Sequence, residues 1–246
     1  MDDASTLQRF LDNARVDDAV FALRPDYRAL LIAVRGLVPG PSDDVSEALL
    51  TEAESAARQQ LRDRSVEELP NIAAWRDAYR AFGAKPQRTR NSVEALTRRA
   101  ETGLPRINRL TDLYNAISVL HQLPVGGEDL SRYDGAPRLI RATGTEAFDT
   151  TADGAVVVEH PEIGEVVWCD DAGVTCRRWN WRQARRTQLS EHTTTALFIL
   201  DVLDPMTDAE LNCAANDLAT RLGELGVDVQ IARRVISTTS SERQGN

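Results

Sequence analysis

The stretch Leu104-Pro-Arg-Ile-Asn-Arg-Leu-Thr-Asp-Leu-Tyr-Asn-Ala-Ile-Ser-Val-Leu-His-Gln-Leu-Pro-Val-Gly-Gly127 decides how this chain is organised. It places Asn108, Asp112 and Asn115 at positions i, i+4 and i+7, near one side of a predicted helix. Asparagine and aspartate are poor residues for a helix interior, because their short side chains compete for backbone hydrogen bonds. Three of them on one side therefore indicate either capping and loop contacts or a ligand site.

The end of this stretch indicates a close approach between two parts of the chain. The helix is predicted to end at Pro124, and Val-Gly-Gly-Glu-Asp follows. Because glycine tolerates positive φ and carries no Cβ atom, Gly126 and Gly127 let the backbone come close to another surface.

The rest of the chain is predicted to be helical before this stretch and rich in strands after it. Predicted helices cover about residues 5–14, 43–62, 72–82, 91–103 and 207–226, and predicted strands cover 27–37, 139–142, 155–158, 165–169, 173–178, 196–203 and 227–236. This order predicts the α+β class, with a single domain at residues 1–236. Its helical part spans about 1–125, its strand-rich part about 126–236, and a polar tail follows at 237–246.

Composition argues against several classes of protein. No window approaches the roughly 18 apolar residues of a membrane-spanning helix, and the acidic start of the chain is unlike a secretory signal or a transit peptide. The three cysteines (Cys169, Cys176 and Cys213) lack CxxC spacing, so we expect core thiols rather than disulfides or a zinc site. The expectation is a cytoplasmic protein with no cofactor, no metal and no membrane association.

Charge is distributed unevenly along this acidic chain, whose net charge is -9. Residues 75–112 carry nine basic and four acidic residues, and residues 177–186 carry five arginines and no acid. If the fold brings these two basic segments together, they form a surface for a polyanion. The alternative is that each is a solvated face.

A second motif, Arg177-Arg-Trp-Asn-Trp-Arg182, combines aromatic and basic side chains. If it is a strand, Trp179 and Trp181 point one way and Asn180 the other. Tryptophan stacks on a nucleobase or packs an aromatic side chain, and arginine holds phosphate, although tryptophan is more often a core residue. We expect one tryptophan to be buried and the other to face the site with Asn180 and Arg182.

A polar run at residues 190–195 precedes the strand predicted at 196–203. Glu191, His192 or a threonine such as Thr194 could position or deprotonate a water molecule. A surface loop that caps the strand explains the same residues equally well.

Several of these motifs together resemble a known family. The run from Pro105 to Asn115, followed by Leu-Pro-Val-Gly-Gly-Glu-Asp, resembles the B3/B4 domain of the bacterial phenylalanyl-tRNA synthetase β subunit, and most closely the freestanding B3/B4-domain proteins. The family order Ile, Asp, Asn and Pro is matched here by Ile107, Asp112, Asn115 and Pro124. Further matches are Trp75-Arg-Asp-Ala-Tyr-Arg80, Ser92-Val-Glu-Ala-Leu96 and the Arg177–Arg182 motif. The resemblance implies a layered β/β/α fold.

The resemblance also implies a function. In the synthetases this domain hydrolyses tyrosine wrongly attached to the phenylalanine tRNA, and the protein mainly positions the attacking water. Asn115 matches a pocket asparagine of the family, whereas Gly126 stands where the family has a histidine and the position of the pocket glutamate falls near Thr187.

These departures leave two main hypotheses open. The chain is a trans-acting deacylase of another aminoacyl-tRNA, or a module that binds tRNA or an amino acid without hydrolysis. Hydrolysis of a small amino-acid ester or amide is a third hypothesis. Because the synthetase's catalytic module is not matched, we do not expect the chain to charge tRNA.

The predicted site follows from both arguments, with tRNA or aminoacyl-tRNA as the partner. The expected catalytic residues are Asp112, Asn115, Glu191 and Thr194. Residues expected to bind the substrate are Asn108, Gly126, Gly127, Trp179, Asn180 and Arg182. Residues expected to bind tRNA are Arg98, Arg99, Arg178 and Arg185.

Overall fold

The computed structural model describes residues 3–238, which contain more helix than strand. Its helices are α1 Asp3–Asp12, α2 Asp18–Leu23, α3 Asp44–Gln60, α4 Pro70–Ala81, α5 Ser92–Arg99, α6 Arg109–His121 and α7 Asp208–Gly223. Its strands are β1 Arg15–Val16, β2 Arg28–Arg35, β3 Val125–Asp129, β4 Arg138–Arg141, β5 Phe148–Ala152, β6 Ala155–Glu159, β7 Val166–Cys169, β8 Val174–Arg177, β9 Arg182–Gln183, β10 Thr195–Val202 and β11 Gln230–Ile236.

A four-stranded sheet in the order β11-β2-β10-β3 lies at the centre of the fold. Its strands are antiparallel neighbours, and β2 and β10 are buried over almost their whole length. A strand that is covered on both faces has apolar residues on both sides, so β2 and β10 show little alternation between polar and apolar residues.

The two faces of this sheet carry different cores. On one face Ile32 and Phe198 pack with residues of α3, α6 and α7. On the other face Leu31 and Ile199 pack with α1, α2, α4 and a five-stranded sheet in the order β1-β4-β7-β8-β9. The chain is therefore a layered α+β structure of sheet, sheet and helices, as predicted.

Two parts of the sequence prediction were wrong in ways that matter for the site. Helix α6 ends at His121, with Gln122 in the left-handed conformation (φ 55°), and the glycine segment that follows Pro124 is strand β3. The Arg177–Arg182 motif is not a strand throughout, because residues 178–181 form a turn between β8 and β9.

Smaller differences concern ends and exposure. Helix α5 stops at Arg99, before the predicted end at residue 103, and α7 stops at Gly223. Cys169 and Cys176 are buried, but Cys213 is exposed on α7. From residue 239 onward the predicted polar tail lies outside the described residues.

Candidate functional site

Strands β3 and β10 place five residues on the sheet face that looks toward the five-stranded sheet. In the antiparallel register Glu128 lies opposite Leu197, and Gly126 lies opposite Ile199. Side chains alternate between faces along a strand, so Glu128 and Gly126 share the face of Leu197, Ile199 and Asp201. This face therefore carries two carboxyl groups with a glycine between them.

The opposite wall comes from β7, β8, β9 and the turn at residues 178–181. Arg178 and Trp179 both have positive φ (48° and 68°), an uncommon conformation for residues other than glycine. The turn buries Trp179 and leaves Trp181 half-buried. The guanidinium of Arg178 lies 4.7 Å from the centre of the Trp181 ring, a cation–π contact that orients the indole.

Helices α5 and α6 close the remaining sides. The N-terminus of α6 is capped by Asn108, whose side chain accepts a hydrogen bond of 2.9 Å from the backbone N–H of Thr111. Asp112 accepts a 2.5 Å hydrogen bond from the hydroxyl of Ser42 and a 2.8 Å bond from the backbone N–H of Ile107. These contacts fix the helix and direct Asn115 toward the space between the sheets.

These elements enclose what we call the central cavity, of about 240 Å³. Its lining residues are Ser92, Ala95, Leu96, Arg99, Tyr114, Asn115, Val125, Gly126, Glu128, Trp168, Cys176, Trp179, Asn180, Trp181, Gln183, Ile199 and Asp201. Pockets for drug-sized ligands occupy roughly 300–1,000 Å³, so this cavity suits a ligand of about the size of one amino acid.

A second depression of about 450 Å³, which we call the outer groove, lies beside the central cavity. It is lined by Ile107, Thr111, Tyr114, Asn115, Thr150, Thr151, Trp181, Arg182, Gln183, Arg185, Gln188 and Leu189. Tyr114, Asn115, Trp181 and Gln183 border both spaces. A ligand that fills the cavity and continues into the groove passes these four side chains.

The two carboxyl groups of the cavity have strongly perturbed acidities. Burial raises the pKa of Glu128 to about 7, opposed by a hydrogen bond from the hydroxyl of Tyr133. Burial likewise raises the pKa of Asp201 to about 7, opposed by hydrogen bonds from Tyr27 and Asn180. Each group therefore exchanges its proton near neutral pH, which suits a general base.

The cavity also holds a thiol that is poorly suited to nucleophilic attack. Burial raises the pKa of Cys176 well above its usual value, and the nearby carboxylates raise it further. Because the thiolate is the reactive form, this cysteine is a packing residue at neutral pH.

The structure brings part of the predicted site together. Asn115, Gly126, Trp179, Asn180 and Arg99 line the central cavity, whereas Arg182 and Arg185 line the outer groove with Asn115. Gly127 borders neither space, but its carbonyl oxygen accepts a 2.8 Å hydrogen bond from Nε2 of Gln183, which lines both.

Other predicted residues lie outside these spaces. The buried side chains of Asn108 and Asp112 hydrogen-bond to Thr111, Ser42 and Ile107 near the start of α6. Glu191 and Thr194 are exposed in the loop before β10, and neither borders the cavity or the groove. This position fits the surface-loop interpretation of the run at residues 190–195.

Two of the predicted tRNA-binding arginines are held by acidic partners. Arg98 pairs with Glu67 and with Glu94, the latter at 3.1 Å. Arg178 lies 3.5 Å from Glu165. Arg185 pairs with Asp149 at 3.2 Å but is half-exposed, and the exposed side chain of Arg99 makes no ion pair among residues 3–238.

Sequence reasoning missed Glu128 and Asp201 as site residues. Glu128 follows the two glycines in a segment for which no strand was predicted, so the alternation that points its side chain inward was not visible. Asp201 is the only charged residue of β10, and a lone carboxylate in an otherwise apolar run is a signal that could have identified it.

Other kinds of site are not found among residues 3–238. No group of three or more histidine, cysteine, aspartate or glutamate side chains is arranged to hold a metal ion. No helix in the same range is long and apolar enough to span a membrane.

Comparisons with known proteins give a family and a set of similar solved structures. The B3/4 domain family matches residues 74–241 of this chain, which confirms the resemblance stated from the motifs. No curated protein matches the chain. An N-terminal fragment of the phenylalanyl-tRNA synthetase β-subunit from Pyrococcus horikoshii covers 89% of this chain at 13% identity, with a TM-score of 0.44. The chain covers 50% of that fragment.

Proposed function

This chain belongs to the B3/4 domain family, and from that premise we propose that it is a trans-acting aminoacyl-tRNA deacylase. The central cavity is the observation that carries the proposal. It combines a volume fit for one amino acid with a buried carboxyl group that titrates near neutral pH. In this proposal the outer groove beside it, of about 450 Å³, receives the 3′ end of the tRNA.

Glu128 is the general base in this proposal. A carboxylate with a pKa of about 7 accepts a proton from water and returns it at neutral pH. The activated water attacks the ester carbonyl carbon, the bond to the ribose oxygen breaks, and that oxygen takes the proton. The products are a free amino acid and a tRNA with both hydroxyl groups on its terminal ribose.

Asn115 holds the ester at the boundary between cavity and groove. Its position in both linings puts a carboxamide where the amino acid joins the ribose. An amide N–H group aimed at the developing oxyanion stabilises it, and loss of one such donor costs about 10²- to 10³-fold in rate.

The tRNA end lies along the outer groove. Trp181 is half-buried with its ring beside Arg178, and it offers an aromatic surface to the terminal base. Arg182 and Arg185 lie in the groove, and Arg99 lies at the cavity, within reach of phosphate groups.

The alternative is a module that binds tRNA or an amino acid without cleaving it. One observation favours it: Gly126 leaves the cavity wall without a side chain, and no histidine among residues 3–238 borders the cavity. Acid–base chemistry then depends on Glu128 and Asp201 alone, and a protein that only binds needs neither.

The test is release of amino acids from a panel of charged tRNAs, both correctly charged and mischarged, by the purified protein. The deacylase proposal expects cleavage of one or a few aminoacyl-tRNAs, and loss of about 10²-fold or more in rate with Glu128→Gln. A circular-dichroism spectrum equal to that of the wild type shows that this variant folds. If no charged tRNA is cleaved but tRNA binds in a salt-sensitive way, the binding module is correct.

A further inference from the structure

Glu128 and Asp201, the carboxyl groups that line the central cavity, accept hydrogen bonds from neutral side chains only. Two other buried acids, Asp112 and Asp129, also lack a basic partner, but each accepts a backbone N–H hydrogen bond in addition to hydroxyl ones. Four other buried acids are each paired with an arginine: Glu54 with Arg106, Glu94 with Arg76, Glu165 with Arg177 and Asp170 with Arg186. Among residues 3–238, no basic side chain forms an ion pair with Glu128 or Asp201, although they are only 1% and 2% exposed. Buried charges are normally paired, and Arg99, the basic residue in the cavity lining, pairs with neither carboxyl group, so the missing positive charge is one that a ligand can supply.

The cavity walls around Asp201 carry indole rings that suit a cation and indole N–H donors that lack a well-placed acceptor. The rings of Trp168, Trp179 and Trp181 line the cavity, and indole faces attract ammonium and guanidinium groups. The N–H groups of Trp168 and Trp179 form no hydrogen bond of normal geometry among residues 3–238, although that of Trp168 approaches Asp201 and that of Trp179 approaches the hydroxyl of Tyr27. A buried N–H without an acceptor is uncommon, and it indicates a ligand that also carries an acceptor oxygen.

The register of the sheet separates the two carboxyl groups along the cavity. Glu128 lies opposite Leu197, and Asp201 is four residues further along β10. At about 3.4 Å per residue this is roughly 14 Å along the strand. Glu128 is next to the outer groove, since its backbone pairs with Gln188, whereas Asp201 lies by Tyr27 at the other end.

We propose that the central cavity takes an amino acid whose long side chain ends in a cation, an amine or a guanidinium, and that Asp201 receives this charge. The inference rests on the proposed function for its orientation, because the ester must lie at the Glu128 end, beside the groove. The side chain then extends past Gly126, where the absence of a side chain leaves room, and its cationic end lies between Asp201 and the indole rings.

Binding of amino-acid amides tests the inference without any hydrolysis. Lysinamide, argininamide, norleucinamide and tyrosinamide are titrated into the full chain by calorimetry. Lysinamide or argininamide is expected to bind at least about tenfold more tightly than norleucinamide, which has a similar chain without the side-chain charge. Asp201→Asn is expected to remove this preference, whereas the exposed Asp77→Asn control keeps it. Equal binding of lysinamide, argininamide and norleucinamide, tighter binding of tyrosinamide, or no binding at all overturns the inference.

The charged-tRNA panel separates failure of this inference from failure of the proposed function. Faster cleavage of lysyl- or arginyl-tRNA than of norleucyl-tRNA supports both. Cleavage that favours a neutral aromatic or aliphatic amino acid supports the deacylase proposal and overturns the inference of a cationic side chain. Selective binding of the cationic amides without cleavage of any tRNA supports the inference and rejects the deacylase.

Discussion

The hydroxyl group of Tyr27, the residue just before β2, donates a 2.5 Å hydrogen bond to Oδ1 of Asp201 on the neighbouring strand β10. Both groups are buried, and burial raises the pKa of the tyrosine well above its usual value and that of the carboxyl group to about 7. The pair therefore places an acid that resists ionisation at one end of the central cavity.

This pair makes stability depend on pH in a direction that can be tested. The folded-state pKa of Asp201 lies above the unfolded value of about 3.9, so the folded protein holds this proton more tightly. The protonated carboxyl group of Asp201 therefore contributes to the free energy of unfolding in full below the unfolded pKa, and this contribution is lost as pH rises toward 7.

Asp201→Asn removes this titration and keeps an acceptor for Tyr27. At pH 8 the variant is expected to be more stable than the wild type. Its free energy of unfolding should be higher by about 1.4 kcal/mol for each unit by which the pKa of Asp201 is raised in the folded wild type. At pH 4 the two should agree closely. Urea unfolding at both pH values measures this, with Asp77→Asn as the control. An equal difference at pH 4 and pH 8 would contradict the assignment of the raised pKa.

The two adjacent glycines of β3 should tolerate substitution differently. A Cβ atom on Gly127 meets Leu189 and the ring of Tyr114 at 2.8 Å, inside normal contact distance. Overpacking of this kind typically costs about 1–3 kcal/mol. A Cβ atom on Gly126 meets only the end of the Gln183 side chain, at 3.4 Å. Thermal unfolding should therefore show Gly127→Ala clearly less stable than Gly126→Ala, and equal melting temperatures would refute this packing.

The ion pair between Arg177 and Glu165 should be important for stability. Both nitrogen–oxygen contacts are short (2.8 and 2.9 Å), and both side chains are buried. Glu165→Ala removes both charge-assisted hydrogen bonds and leaves Arg177 with the partly exposed Glu159, at 2.9 Å, so it is expected to cost about 1.5–3 kcal/mol. The exposed Glu191→Ala should stay within about 0.5 kcal/mol of the wild type. Similar denaturant midpoints for the two variants would show that the pair is not needed.

Neighbouring arginines on α5 offer a matched pair for tRNA binding. Arg99 is exposed and makes no ion pair among residues 3–238, whereas the charge of Arg98 is met by Glu67 and Glu94. Arg99→Ala should weaken tRNA binding and lower the slope of log affinity against log salt by about 1. Arg98→Ala should leave that slope close to the wild-type value. Filter binding across a salt series tests this, and a larger change for Arg98→Ala would reject the assignment.

The fold was predictable where burial leaves a local pattern, and the site was less so. Strands such as β2 and β10 show as apolar runs, and the capping box at Thr207 predicts the start of α7. Strand β3 was missed because its two glycines have low strand propensity and form a strand only through pairing with β10. The turn at Arg178 and Trp179 was missed because residues other than glycine seldom adopt positive φ.

The candidate site depends on contacts between residues far apart in the sequence. Family motifs pointed to Asn115, but Glu128 and Asp201 line one cavity only through a sheet register that no local pattern contains. Glu191 and Thr194 were selected for polarity, and polarity is equally typical of an exposed loop.

The most direct test of the central cavity is the single-turnover rate of amino-acid release from a tRNA that the protein cleaves. Asn115→Ala should slow this rate by about 10²-fold or more, because it removes the amide at the boundary of cavity and groove. Glu191→Ala, in the exposed loop, should release the amino acid at close to the wild-type rate. A fast Asn115→Ala enzyme, or one that Glu191→Ala inactivates, would contradict the assignment of catalysis to the central cavity.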